Sequence, residues 1–408
     1  MTGRTRLAVG WAIALAAALL LSLSLTRPAT NPIPGGVAAA SPAATPSPTA
    51  VAPAAPANPA RVDDRSPRSG SGSAAYPEPP PELWPLSDAQ GAALQRATER
   101  ARAEFRLNVL AIGVSVDGTH GWTGASGLAR DGITPLDGHS PFAVASISKT
   151  FVAAIVLQLV EERRISLSAP VSRYLPDVPL PEGVTVQQLL QHTSGLPDLL
   201  RPMRPYLNGD TQQQFTPAQV FAQLPEPWFA PGTDWGYSNT NYVVLGLLIE
   251  RVTHHAFVDE LRSRIVAPLG LDETGMQPTV DGPYLLSPSW ATAFWTSGAM
   301  HSSADDLLRW GDALYAGHVL SPWARGRMLR WGEHDYGLGV EQIVITDLSA
   351  YGHSGLLQGF TSLLVRLPED NLTIAVLATG GEFDPATLLQ RHTPGQPSIL
   401  DLALAAAN

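Results

Sequence analysis

The sequence predicts an α/β protein, with an antiparallel sheet formed from both ends of the folded region, flanked by helices, and a mainly helical block inserted between them. Three observations carry this expectation. Strand-like runs fall at 109–128 and again at 361–377. The intervening stretch is dominated by capped, helix-patterned segments. The composition, 44% hydrophobic and 15% charged, is sufficient to bury a large core.

The folded region begins late in the chain. Arg4 and Arg6 precede an uncharged stretch from Leu7 to Leu25, and Arg27 comes directly after it. At 19 residues this stretch approaches membrane-spanning length. The positive charges on its N-terminal side place the remainder of the chain outside the cytoplasmic membrane. Residues 1–26 are therefore expected to be a signal peptide or an N-terminal membrane anchor. A small-residue cleavage site, Ala38-Ala39-Ala40, lies well beyond the apolar core, which favours the anchor. Residues 27–82 contain 14 prolines among 56 residues and are otherwise rich in Ala, Ser, Thr and Gly. Such a segment cannot bury enough surface to fold, so it is read as a disordered spacer. The domain proper is expected over residues 83–408.

Within it, Ser87-Asp88-Ala89-Gln90 is a capping box. Leu94, Ala97, Ala101 and Phe105 continue at helical spacing, which carries the helix to about Arg106. Val109–Val116 reads as a strand, Asp117-Gly118 as a turn, and Trp122–Leu128 as the partner strand. Ser146–Glu162 reads as a helix that is apolar almost all round, hence buried. Thr185–Gln188 is a second capping box, with Gly195 as the expected stop. Thr216-Pro217 opens another helix. Tyr242–Thr253, Phe257–Ile265 and Ser302–Tyr315 are helical, the last led by Asp305-Asp306 in a capping role. Thr361–Arg366 and Leu372–Leu377 form a hairpin around Pro368-Glu369-Asp370-Asn371. Ser398–Ala407 closes the chain as a helix.

The composition excludes several functions. A net charge of −10 argues against nucleic acid, which needs a concentrated basic face. With no cysteine there is no disulfide, thiolate nucleophile or cysteine metal site. His254-His255 lacks the helical spacing of a zinc pair, and no phosphate-binding glycine loop occurs. No metal and no cofactor is implied. Gly352-His353-Ser354-Gly355-Leu356 approaches a nucleophile elbow but has Leu where the last Gly must be. Asn371-Leu372-Thr373 is explained by the hairpin turn, and His192 by the end of its helix.

Of 26 basic residues, 25 are Arg and one is Lys149. Arg cannot deprotonate in a protein, whereas a desolvated Lys can act as a base. Ser146 lies three residues before Lys149, a spacing at which side chains on a helix meet. A helix N-terminus and apolar surroundings disfavour an ammonium and lower the lysine pKa. A serine hydroxyl, a poor nucleophile alone, needs such a partner. Ser148, adjacent to the lysine, cannot face it. Tyr237-Ser238-Asn239 adds a phenol able to pass a proton and an amide able to grip a substrate. His353-Ser354-Gly355 is expected at the start of the terminal hairpin, where a glycine lets a substrate backbone approach. The histidine could bind a carboxylate, orient the tyrosine or fill a buried hydrogen bond.

In this order the three motifs resemble those of the penicillin-recognising serine hydrolases, in the branch that holds class C β-lactamases, D-Ala-D-Ala carboxypeptidases and related esterases and D-aminopeptidases. The connecting phrases resemble that branch too: Phe142-Ala143-Val144-Ala145, Leu189-Leu190-Gln191-His192-Thr193-Ser194-Gly195-Leu196, Pro231-Gly232 and Pro268-Leu269-Gly270-Leu271. The resemblance implies a β-lactamase/transpeptidase-like fold with an all-helical domain. It implies Ser146 as the acylated nucleophile, Lys149 as its base and Tyr237 as the proton shuttle. Asn239, His353, Ser354 and Gly355 would bind substrate, with His353 in the cation position of the third motif. The backbone N–H groups of Ser146 and Leu356 would form the oxyanion hole. The third motif departs from the Lys-Thr-Gly of class C β-lactamases, and Leu356 is bulky where small or polar residues are common. The first favours the carboxypeptidase and esterase side, and the second argues against access for a peptidoglycan stem.

The expected function is thus an exported serine hydrolase working through an acyl-enzyme, on the outer face of the cytoplasmic membrane or secreted to the cell envelope. Its substrate would be a small molecule or a peptidoglycan peptide, and the N-terminal segment, if uncleaved, would contact the membrane. A small-ester esterase or D-aminopeptidase could use the same residues. The spacer also suits a non-catalytic wall-binding or sensor module, against which the intact Ser146, Lys149 and Tyr237 argue.

Overall fold

A computed structural model describes residues 83–129, 131–277, 285–332, 334–381, 383–390 and 394–408. The expected leader and spacer, residues 1–82, lie outside them. Among the described residues, no helix is long and apolar enough to cross a membrane.

Seven strands form the main sheet: β1 (Trp84–Pro85), β2 (Val109–Val116), β3 (His120–Ser126), β7 (Glu341–Ile345), β8 (Leu348–Leu357), β9 (Phe360–Leu367) and β10 (Leu372–Thr379). Their order is β1-β3-β2-β10-β9-β8-β7, antiparallel except for β1 beside β3. Both chain ends therefore contribute, and the central pair β2–β10 joins them. A small second sheet, ordered β4-β6-β5, is made of β4 (Phe142–Ala143), β6 (Met300–Ser302) and β5 (Gly275–Met276).

Strand alternation explains how the sheet holds two cores. Along β2, Leu110, Ile112, Val114 and Val116 face one cluster, and Val109 and Ala111 the other. On β10, Leu372, Ile374, Val376 and Ala378 join the first cluster, and Ala375 and Leu377 the second. The first is covered by helices α1 (Asp88–Glu104) and α5 (Ile399–Ala407), both opened by capping boxes at Ser87 and Ser398. The second contains the buried faces of α2 (Ser148–Glu161), α3 (Asn239–Thr253) and α4 (Ala304–Ala316). The result is a helix–sheet–helix arrangement with the helical block inserted between β4 and β7.

Local chemistry fixes the turns. Asp117 and Gly118 both have positive φ, the backbone of a tight hairpin turn, and Asn371 takes the same region in the β9–β10 hairpin. His254 caps α3 in the left-handed region, and Ser303 caps α4 by accepting from the Asp306 N–H. Asp306 does more than line the first turn. Its carboxylate accepts from Thr274 Oγ1 at 2.7 Å and from the Glu273 N–H at 2.8 Å, tying α4 to the segment before β5.

Four expectations shift. Helix α2 starts at Ser148, and Ala145–Ile147 is a separate 3-10 turn. The helix Val186–Leu190 ends before His192, which itself takes φ +60°, so Gly195 is not its stop. The helix from Phe257 gives way at Arg262 to a π-turn that runs to Val266. His353-Ser354-Gly355 lies inside β8, one strand ahead of the terminal hairpin. Its glycines and polar residues hide the alternation that marks a strand.

Helix α2 is fixed at its start by an aromatic pair. Phe151 stacks on Trp310 at 4.1 Å, and the Trp310 indole donates to Thr150 Oγ1 at 2.9 Å. Both rings are fully buried. Phe151→Ala should lower stability by about 3–5 kcal/mol in a denaturant titration, because the cavity opens in a close-packed layer that cannot collapse.

Candidate active site

The nucleophile turn is held in an unfavourable conformation by its neighbours. Ala145 has φ +47°, a region that costs a non-glycine residue about 1–3 kcal/mol. Four hydrogen bonds retain it. The Val144 N–H donates to Met300 O at 3.1 Å, and Ser362 Oγ donates to Val144 O at 2.7 Å. Ser148 Oγ donates to Ala145 O at 2.6 Å and accepts from the Met300 N–H at 3.2 Å. Ser148 is thus consumed by the turn. Ser146 remains partly exposed, while Ala145, Ile147, Ser148 and Lys149 around it are buried.

Lys149 has no solvent exposure. Its Nζ lies 2.9 Å from Ser146 Oγ, 2.8 Å from Asn239 Oδ1 and 2.7 Å from Ser297 O. The last two partners can only accept. The Asn239 amide cannot turn round, because its Nδ2 donates to Asp198 Oδ1 at 2.9 Å. A neutral amine therefore gives its two protons to Asn239 and Ser297, and its lone pair faces the Ser146 hydroxyl. Burial lowers the lysine pKa to about 7, outweighing the opposing pull of Asp198 and Glu341.

Tyr237 sits on the loop entering α3. Its ring centroid is 5.0 Å from Lys149 Nζ. Burial and the Glu341 charge raise its pKa well above the ordinary value, against the opposing effect of the nearby Ser146 side chain. Tyr237 is thus a neutral phenol at neutral pH, and Lys149 is the better base.

The third motif differs from expectation. His353 is fully buried; its Nδ1–H donates to Ser354 O at 2.6 Å and its Nε2 accepts from the Tyr336 hydroxyl at 2.9 Å. Burial and the nearby Lys149 charge depress its pKa to about 3. It therefore does not supply the cation that its motif position implies. Ser354 donates through both its N–H and its hydroxyl to Glu341 Oε2, each at 3.0 Å. Gly355 makes room for the nucleophile turn: a Cβ there would meet Val144 O at 2.5 Å and Ala145 Cβ at 3.1 Å. Asn239 acts first on the lysine, because both ends of its amide are engaged by Lys149 and Asp198.

The backbone of β8 makes an oxyanion site geometrically available. β7 pairs with β8 only from Leu348 to Gly352, whereas β9 pairs with it as far as Leu357. The Ser354 N–H points away from β9, toward Glu341. Alternation along the strand turns the Leu356 N–H to the same side. Ser146 occupies a 3-10 turn whose leading N–H groups lack partners within the turn.

Asp198, Glu341, Tyr336 and Ser297 were not legible as site residues. Asp198 fixes Asn239 through the backbone N–H at 2.7 Å as well as through the amide. Glu341 is raised to about 7 by burial, although Ser354 and Lys149 oppose the shift. Only an acidic residue in an otherwise apolar phrase, Leu196-Pro197-Asp198-Leu199-Leu200, could have drawn attention. Among the described residues, no cluster of His, Asp or Glu could hold a metal ion.

A Ser–Lys–Tyr constellation with a buried lysine, between a mixed sheet and a helical block, defines a class of serine acyl-hydrolases, and the comparisons agree. The Beta-lactamase family model matches residues 94–392, and the chain belongs to that family. It is 28% identical over 285 residues to penicillin-binding protein 4* of Bacillus subtilis strain 168, covering 61% of this chain and 62% of the relative. The chain thus spans about three fifths of the length of that relative. Among solved structures, a D-stereospecific amidohydrolase from Streptomyces sp. is similar at 30% identity and TM-score 0.61, covering 71% of this chain and 94% of that one. D-amino acid amidase from Ochrobactrum anthropi SV3 is similar at 25% identity and TM-score 0.62, covering 72% and 94%. The fold is the β-lactamase/transpeptidase-like one, and the protein is a member of a serine hydrolase superfamily.

Acylation by an uncharged substrate should rise with pH through an ionisation near 7 and level off above it, because the free amine is the active form. Lys149→Arg should lower the rate by about 10²–10⁴-fold at every pH, since guanidinium keeps its proton. Gly355→Ala should cost about 1–3 kcal/mol of stability, read by thermal melting, because β8 and the nucleophile turn must part.

Proposed function

We propose that this protein is an exported hydrolase of D-amino-acid amides or esters, acting through an ester formed on Ser146. The observation that carries this reading is the contact of Lys149 Nζ with Ser146 Oγ at 2.9 Å, while two acceptors hold its other positions. Ser146 Oγ attacks the substrate carbonyl carbon as its proton passes to Lys149. The carbonyl oxygen becomes an oxyanion facing the N–H groups of Ser146 and Leu356. Tyr237 gives its proton to the leaving nitrogen or oxygen and regains one from the Lys149 ammonium. The bond to the leaving group breaks and the acyl-enzyme remains. Water then attacks the ester, its proton passes back through the same pair, and Ser146 leaves as the hydroxyl.

The third motif guides the choice of substrate. With His353 neutral, it offers no positive charge to a carboxylate beside the scissile bond. This favours D-amino-acid amides and esters over D-Ala-D-Ala peptides and penicillins, which carry that carboxylate. The amidohydrolase and amidase neighbours support the same direction. Export rests on the pattern of Arg4, Arg6 and the apolar run Leu7–Leu25, and would place the enzyme at the membrane surface or in the cell envelope.

The test compares turnover of a D-amino-acid amide, a p-nitrophenyl ester and a D-Ala-D-Ala peptide by the wild-type protein and Ser146→Ala. The expected result is amide or ester turnover exceeding that of the peptide, lost by several powers of ten in the variant. Unchanged turnover in Ser146→Ala would overturn the acyl-enzyme reading. Preference for the peptide would overturn the substrate assignment alone.

A further inference from the structure

His192 follows the helix Val186–Leu190 just past its cap Gln191, and a structural role at that helix end is the simplest reading of it. Its surroundings show more. The ring has no solvent exposure and lies 4.3 Å from the Tyr237 ring, tilted by 30°. Its Nδ1 accepts from the Ser238 N–H, the next residue after the phenol, at 3.1 Å. The Asn241 amide nitrogen lies 3.0 Å from the same atom. That amide is oriented in turn: the Leu196 N–H donates to Ser194 Oγ at 3.1 Å, and Ser194 Oγ donates to Asn241 Oδ1 at 2.6 Å. Since a backbone N–H can only donate, Nδ1 must accept, and the ring is fixed as the neutral tautomer protonated at Nε2.

The backbone around His192 is laid against the loop that carries Tyr237. The Gly236 N–H donates to His192 O at 3.0 Å, Gly232 to Thr193 O at 2.7 Å, and Trp228 to Gly195 O at 2.9 Å. Two left-handed residues shape this splint, His192 at φ +60° and Gly195 at φ +78°. At Gly195 a Cβ would run into the Phe229 carbonyl. A strained histidine bonded on both sides of a tyrosine and packed against its ring is more than a helix cap requires.

We propose that His192 is the positioning residue for Tyr237, holding the phenol against Ser146 as a neutral ring that adds no charge beside Lys149. This rests on Tyr237 carrying the proton as described above. Among the described residues no hydrogen bond or ring contact joins His192 to Ser146, and on this proposal it acts through Tyr237.

The experiment is a double-mutant cycle on the full-length protein, with kcat, KM and melting temperature measured on the best amide or ester substrate. His192→Phe keeps a ring and removes the acceptor; His192→Asn keeps an oxygen near the position of Nδ1. Tyr237→Phe supplies the second arm. The expected result is a fall in kcat of about 10–100-fold in His192→Phe, with KM nearly unchanged and the fold retained. In the Tyr237→Phe background the same substitution should cost almost nothing further. His192→Asn should keep more kcat than His192→Phe. Additive losses in the double variant, or Asn no better than Phe, would overturn the proposal. If His192→Phe fails to fold, the cycle is read with His192→Asn, where a loss undiminished in the Tyr237→Phe background likewise overturns it. Full activity in Tyr237→Phe alone would overturn the underlying mechanism, which is a distinguishable result.

Discussion

The site depends on the burial of one lysine amine between two groups that can only accept its protons and one serine hydroxyl. Water would hold Lys149 as an ammonium; removing that water makes the charge costly, and the free amine becomes accessible near neutral pH. Two nearby carboxylates could have undone this. Asp198 is spent on the Asn239 amide and backbone, and Glu341 on the backbone and hydroxyl of Ser354. Each is itself pushed toward its neutral form by burial. Desolvation therefore wins over charge attraction, and the amine's lone pair is left for Ser146.

The architecture supplies that environment from three directions. Helix α2 brings Lys149, braced by Phe151 against Trp310. Helix α3 brings Asn239, and the loop before it brings Tyr237. Strand β8 closes the other side at Gly355, where the absent side chain admits the nucleophile turn. The site is thus a junction between sheet and helical block, and no single segment contains it. The third motif keeps its place in this geometry while changing its charge, since His353 is turned into the protein by Tyr336.

Much of this was legible in the sequence because it obeys local rules. The capping boxes at Ser87 and Thr185 form, helices start after Thr216 and Ser398, and β2 has the bounds that its apolar run predicts. The Ser146–Lys149 spacing brings those side chains together even though Ser146 sits on a 3-10 turn, because such a turn also places residues three apart on one side. What escaped was non-local. β8 lacks a clean period because glycine and polar residues replace apolar positions. The neutrality of His353 depends on Tyr336, which comes 17 residues earlier in the chain. Asp198 acts on Asn239 across 41 residues. No spacing rule reports such partners.

Because Lys149 is the only lysine, protein labelled with ¹⁵N at the lysine side chain gives a single side-chain amine resonance. Following that resonance against pH measures the property on which the site rests. A midpoint near 7 is the predicted result. A midpoint at the ordinary lysine value of 10.5 would show a resting ammonium and contradict Lys149 as the base.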